Sequence, residues 1–193
     1  MRNSQRIILA SASLRRKELM QKAGYSFDVV CSDVDESDFP LENVEPAEYA
    51  KQLALAKAEA VARDHPHVVV IGADTIVDFD GQIIQKPRDD KHAEQIIRKL
   101  FSKPHKVITG LALVRLNDNL QITDADVTTV YPRKMTAEQI AQHIKGGTWR
   151  GKAGAYAIQE TGDQFVEKIE GSLTNVMGLP MELLQKMLSE VAS

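Results

Sequence analysis

His67-Val68-Val69-Val70-Ile71-Gly72 is a continuous apolar run bounded by turn signals, and Ala73-Asp74-Thr75 follow it directly. A short apolar run without alternation predicts a buried strand. Beyond it, Thr75 to Phe79 and Gln82 to Gln85 flank Asp80-Gly81, which is the chemistry of a tight hairpin. Upstream, Arg6 to Ala10 predicts a strand, and Ser13 to Ala23 a helix closed by Gly24. Phe27 to Cys31 then predicts a second strand, followed by an acidic loop over 32–45 and a helix from Pro46 to about Arg63. Downstream, a helix over Asp89 to Phe101 precedes two long strands, Lys106 to Leu116 and Gln121 to Tyr131, joined by Asn117-Asp118-Asn119. Thr136 caps a helix that stops at Gly146-Gly147. A short strand from Ala155 to Ile158 lies among glycine-rich loops, and a last helix runs from Pro180 to about Val191. Helices alternate with strands early and antiparallel pairs come late. The expected fold is therefore α/β, a mixed β-sheet flanked by helices, with two lobes around a cleft and one domain over 1–193.

Composition narrows the function classes. With 193 residues, 43% of them hydrophobic, the chain can bury a sizeable core, and its net charge of −3 without a long basic block argues against a nucleic-acid partner. The longest apolar stretches are far shorter than the ~18 residues that span a bilayer, so no membrane partner is expected. Arg2 and Arg6 with Ala10-Ser11-Ala12 imitate a secretion signal, but the apolar run between them is too short and Arg15-Arg16 follow at once. A cytoplasmic setting is expected. The one cysteine, Cys31, cannot form an internal disulfide and reads as a small buried thiol on a strand.

The informative positions are polar residues that interrupt apolar patterns, because a charge is costly to bury without a partner. Lys57 falls inside the arc of Ala50, Leu53, Ala54 and Val61 on the Pro46 helix, and either meets an anion there or reaches past its neighbours to water. Arg16 sits among Ala12, Leu19, Met20 and Ala23 on the first helix, with Arg15 at the edge of that face. Ser11 and Ser13 precede this helix where hydroxyls and free backbone N–H groups would meet an anion. The segment is thus either a polyphosphate cradle or a capped helix with surface arginines. Asp74 follows the most apolar strand, where α/β proteins present functional groups; its carboxylate suits a magnesium ion or a proton from water, or it is an ordinary turn residue at a strand end. Pro87 holds Lys86 extended as a phosphate contact or a plain loop lysine. Asp33, Asp35 and Glu36 of the acidic loop either offer further oxygen ligands or are simply solvated, and Gln159 can offer a donor and an acceptor to a base edge. The five histidines form no convincing metal set.

These segments together resemble the Maf family of nucleoside triphosphate pyrophosphatases. The resemblance rests on Ser11-x-Ser13-x-Arg15-Arg16, Gly72-Ala73-Asp74-Thr75, Lys86-Pro87, Lys152-Ala153-Gly154-Ala155-Tyr156 with Ile158-Gln159, and Gly171-Ser172 with Asn175-Val176 and Gly178-Leu179-Pro180. It implies a fold like that of inosine triphosphate pyrophosphatases, a divalent metal cation (magnesium or manganese), a homodimer, and cleavage between the α and β phosphates. Carried onto this sequence, it makes Asp74 the proton acceptor and Glu36 an active-site acid, the two together serving the metal. Ser11, Arg15, Arg16, Lys57 and Lys86 become triphosphate contacts. Arg15, Thr75 and Gln159 resemble the set of the branch that hydrolyses dTTP and UTP. Leu14, Gln85 and Gly151 depart from the family pattern, standing where proline, glycine and aspartate are usual. Two other functions fit the same residues: a nucleotide-binding regulator acting through a protein partner, as in cell-division control, and a pyrophosphatase for modified purine nucleotides.

Overall fold

A computed structural model describes residues 6–156, 158 and 165–191. Its sheet has seven strands: β1 (Ile7–Ala10), β2 (Asp28–Val29), β3 (Val69–Phe79), β4 (Gln82–Ile84), β5 (His105–Arg115), β6 (Leu120–Pro132) and β7 (Val166–Glu170). The order is β2-β1-β3-β5-β6-β7, with β4 also on β3. β1 runs parallel to β2 and β3, and the other pairings are antiparallel. This is the expected mixed sheet.

Helices α1 (Leu14–Lys22), α2 (Pro46–Ala62), α3 (Asp90–Leu100), α4 (Ala137–Gly146), α5 (Leu173–Val176) and α6 (Met181–Val191) cover it. The period-two alternation of β1 divides the packing: Ile7 and Leu9 join Met20 of α1 and Leu184 of α6, while Ile8 and Ala10 join Ala54, Ala58 and Val61 of α2. At the far end of the long strands, Val77, Val107 and Val130 pack with α3 and with Ile140 of α4. β3, β5 and β6 pass through both packings, so the two lobes share one sheet.

α2 lies unusually close to the strands. A methyl group on Gly72 would stand 2.0 Å from the Ala54 carbonyl oxygen, and one on Gly110 2.3 Å from the Ala50 backbone. Glycines facing a stripe of alanines let helix and sheet touch backbone to backbone, which brings Lys57 of α2 over the middle of β3.

Three local expectations are corrected. The break expected at Asp74 is absent: β3 runs unbroken for 11 residues because β5 pairs across it, with Asp74 opposite Gly110. Of the expected strand from Ala155 to Ile158, Ala155 instead closes a 3-10 turn (Ala153–Ala155), with Gly154 and Ala155 left-handed at φ 71° and 60°, and Ala157 lies outside the described residues. The real strand there is β7, whose exposed glutamates and lysine hide the alternation. Cys31 is exposed, since β2 is a two-residue edge strand and the chain has left the sheet before reaching the thiol. No described helix is long and apolar enough to cross a membrane.

Candidate active site

The site begins with a gap in the sheet. β5 fills one edge of β3 from Val70 to Asp78. On the other edge β1 reaches only to Gly72, and β4 starts only at Val77. Between them, among the described residues, Ala73 to Ile76 lack a strand neighbour, and Asp74 stands in that opening. A cleft of about 620 Å³ opens over it, lined by Ser11, Arg15, Arg16, Glu36, Lys57, Asp74, Thr75 and Lys86. Eight of the nine expected site residues are therefore brought together; the ninth, Gln159, lies outside the described residues.

Asp74 and Lys57 are the best-buried charged pair at the floor, with side chains 9% and 12% exposed and Lys57 Nζ 2.5 Å from Asp74 Oδ1. The same ammonium donates to Glu36 Oε1 at 2.9 Å, and Lys86 Nζ donates to Glu36 Oε2 at 2.6 Å. Asp74, Lys57, Glu36 and Lys86 thus form a row of alternating sign drawn from β3, α2, a 3-10 turn (Glu36–Asp38) and the segment after β4. Lys57 meets an anion rather than reaching to water. Burial raises the Glu36 pKa, but the hydrogen bonds from Lys86 and Lys57 outweigh it and hold the carboxyl at about 2. Glu36 is presented by its neighbour: Asp35 caps the turn by accepting from Ser37 N at 2.9 Å.

α1 supplies the cationic wall. Ser13 caps it, accepting weakly from Arg16 N at 3.4 Å, and no acidic side chain occupies its first turn, so the positive helix end stays uncompensated. Ser11 Oγ accepts from Ser13 N and from Arg16 Nη1, both at 3.2 Å, which leaves its own O–H to donate. The Arg16 guanidinium is engaged with the protein. Nε donates to Gly178 O at 2.7 Å, Nη1 to Ala73 O at 2.9 Å as well as to Ser11, and Nη2 to Thr75 Oγ1 at 3.0 Å. Its pKa is lowered, first by burial and also by Arg15, while Asp74 acts in the opposite sense.

The far end of the cleft is apolar, with Val77, Val107, Tyr156, Ile158 and Val176. Tyr156 is held from behind by a residue that the sequence reading missed. Buried His105 keeps its Nδ1 3.1 Å from Leu100 O, so this nitrogen carries the proton, and Nε2 accepts from Tyr156 Oη at 2.7 Å. Burial lowers the His105 pKa to about 4 and raises that of Tyr156, so both are neutral at physiological pH. Arg150 and Lys152 also line the cleft, bringing its cationic side chains to six against two carboxylates among the described residues. Leu14 and Gly151 line it as well, so two of the three departures from the family pattern touch the site. Thr109 and Gly110 were the readable signal of a buried feature in β5, since they interrupt its apolar run from Val107 to Val114.

Residues 6–191 match the family described as Maf-like protein. A dTTP/UTP pyrophosphatase of Geotalea uraniireducens is 47% identical over 175 residues, covering 91% of this chain and 89% of that protein. Another dTTP/UTP pyrophosphatase, of Ruminiclostridium cellulolyticum, is 39% identical over 185 residues, 96% of this chain and 95% of the relative. Among solved structures, a HAM1 protein from Coxiella burnetii matches with a TM-score of 0.50 over 96% of this chain and 99% of that one, at 14% identity, a likeness of fold.

Proposed function

The chain belongs to the Maf-like protein family, and from that membership we propose that it is a hydrolase that cleaves nucleoside triphosphates, dTTP and UTP foremost, between the α and β phosphates. The products are the nucleoside monophosphate and pyrophosphate. The observation that carries the reading is the alternating row Asp74–Lys57–Glu36–Lys86 at the floor of a cleft whose adjoining wall is a helix N-terminus with Ser11 and Arg15. A triphosphate is a polyanion, and breaking the α–β bond places further negative charge on the departing pyrophosphate. Fixed cations and backbone N–H groups lower that barrier most where water is excluded.

Asp74 is the proton acceptor for the attacking water, since it is the buried carboxylate that opens onto the cleft. Lys57 holds it in place for that role, donating to Asp74 Oδ1 at 2.5 Å. Lys86, Arg15 and the Ser11 hydroxyl bind phosphate oxygens, and Thr75 and Gln159 serve base choice. Among the described residues no third acidic, histidine or cysteine side chain joins Glu36 and Asp74 in a metal-binding group. Two carboxylates suit magnesium or manganese, which take one or two protein oxygens and complete their shell with water and substrate phosphate. Glu36 and Asp74 would hold such an ion, which supplies charge neutralisation at the phosphates. The same reading keeps the cytoplasmic setting and the homodimer that the resemblance implies.

The test is pyrophosphate release with magnesium or manganese from dTTP, UTP, CTP, ITP, XTP and 7-methyl-GTP. Preferential release from dTTP and UTP is expected. Saturable binding without release would instead indicate the regulator, and preference for the purines would indicate the modified-nucleotide enzyme.

A further inference from the structure

Arg16 lines the nucleotide cleft, yet its donors point into the protein. Of the five N–H groups of a guanidinium, four are engaged by Gly178 O, Ser11 Oγ, Ala73 O and Thr75 Oγ1. Two of these acceptors, Ala73 O and Thr75 Oγ1, belong to the residues on either side of Asp74. They lie in the stretch of β3 that has lost β1 and not yet gained β4. A strand edge without a neighbour leaves backbone groups to water and frays. Here a planar, permanently charged side chain takes the place of the missing strand and ties the stretch to the first turn of α1 and to the loop at Gly178.

The clamp continues inward with one defined direction. Thr109 Oγ1 donates to Asn175 O at 3.1 Å, which commits its single proton, so Thr75 donates the 2.9 Å bond to Thr109 in preference to its longer 3.5 Å contact with Gly178 O. Thr75 in turn accepts from Arg16. Thr109 is fully buried, and Asn175 Nδ2 anchors the far end on Val107 O and Thr128 Oγ1. The chain Arg16, Thr75, Thr109, Asn175 fixes the backbone on which Asp74 sits, from the cleft surface to the interior.

We infer that Arg16 and Thr109 are positioning residues for Asp74, and that Arg16 is not a triphosphate contact. The inference rests on the proposed reaction for its kinetic readout, and on the hydrogen-bond geometry alone for its structural one. A misplacement of about 1 Å at a reacting group costs about a hundredfold in rate and here comes with a loosened strand, whereas loss of a phosphate contact acts on substrate affinity or on the transition state and leaves amide exchange at 73–76 unchanged.

Arg16→Lys, Arg15→Ala, Thr109→Val and Thr109→Ser separate the two roles. Lysine keeps the charge at position 16 but cannot make four planar bonds. Expected for Arg16→Lys is a fall in kcat for dTTP of about a hundredfold with KM within about threefold of wild type, together with faster amide hydrogen exchange at residues 73–76. Arg15→Ala raises KM instead. Thr109→Val lowers kcat about tenfold at unchanged KM, and Thr109→Ser, which restores the hydroxyl, recovers it. Unchanged exchange at 73–76 in Arg16→Lys would overturn the inference, whether KM rises or kcat falls. If Arg16→Lys does not fold, the Thr109 pair decides by the same split, equal kcat for valine and serine being the overturning result. If wild-type protein releases pyrophosphate from no nucleotide, the proposed reaction is wrong. Exchange at 73–76 in Arg16→Lys then still decides the clamp: faster exchange supports it, and unchanged exchange overturns it.

Discussion

The two ends of the cleft are built on opposite electrostatic terms. At one end Asp74, Lys57, Glu36 and Lys86 are all charged, and each carboxylate is compensated by an ammonium within 3 Å. At the other, Tyr156 and His105 are joined by a neutral hydrogen bond inside an apolar cluster that includes Val77, Val107 and Phe101. Buried charges must be paired or the fold loses stability, so the charged end depends on elements far apart in sequence meeting accurately. The apolar end requires only volume and one satisfied polar pair. The contrast teaches that chemistry and ligand shape are supported separately, and it can be broken one end at a time.

The largest break is at the charged end. Asp74→Asn keeps the side chain's size and removes the proposed base, and kcat is expected to fall about a thousandfold in a protein that still binds nucleotide. Turnover at the wild-type rate in a direct pyrophosphate assay would remove Asp74 from the reaction.

Acid sharpens the comparison. An unfolded histidine takes up a proton near pH 6.5, while burial withholds it from His105 until about pH 4. The contribution of the apolar end is therefore complete above pH 6.5 and declines as pH falls toward 4, by on the order of 3 kcal/mol. Glu36, held at about 2 by its lysines, works in another window: its contribution is present above the ordinary carboxylate pKa of 4.5 and is lost as pH falls through 2. Denaturant melts of wild type and His105→Phe between pH 7 and 4 should show a steep loss in wild type and a shallower one in the variant. Equal slopes would place the acid sensitivity elsewhere.

The smallest expected effect is that of Tyr156→Phe, which leaves His105 Nε2 without its donor in a buried site. It should cost about 1–2 kcal/mol of stability and leave kcat within a few fold. A large loss of kcat in a stable Tyr156→Phe protein would show that the two ends are not independent.

Much of the fold was legible because its signals are local. The capping serine at Ser13, the Pro46 start of α2, the Asp80-Gly81 turn and the stop at Gly147 are choices a few residues make among themselves. The site was legible where a charge broke an apolar pattern, as Lys57 and Arg16 do. β7 and the exposure of Cys31 were not, because edge strands lack the alternation that marks a half-buried one.

By itself, then, the amino-acid order determined most of the helices and the central strands, that the sheet is mixed and covered, and which charged residues need partners. Only the tertiary structure decided who those partners are. Asp74 lies within a strand rather than at its end because β5 pairs across it. Arg16 turns inward because β1 stops one residue short of Ala73, and His105 is neutral because α3, β5 and Tyr156 enclose it. Each of these depends on contacts between residues far apart in the chain, and such contacts exist only once the backbone has brought them to the same few ångströms.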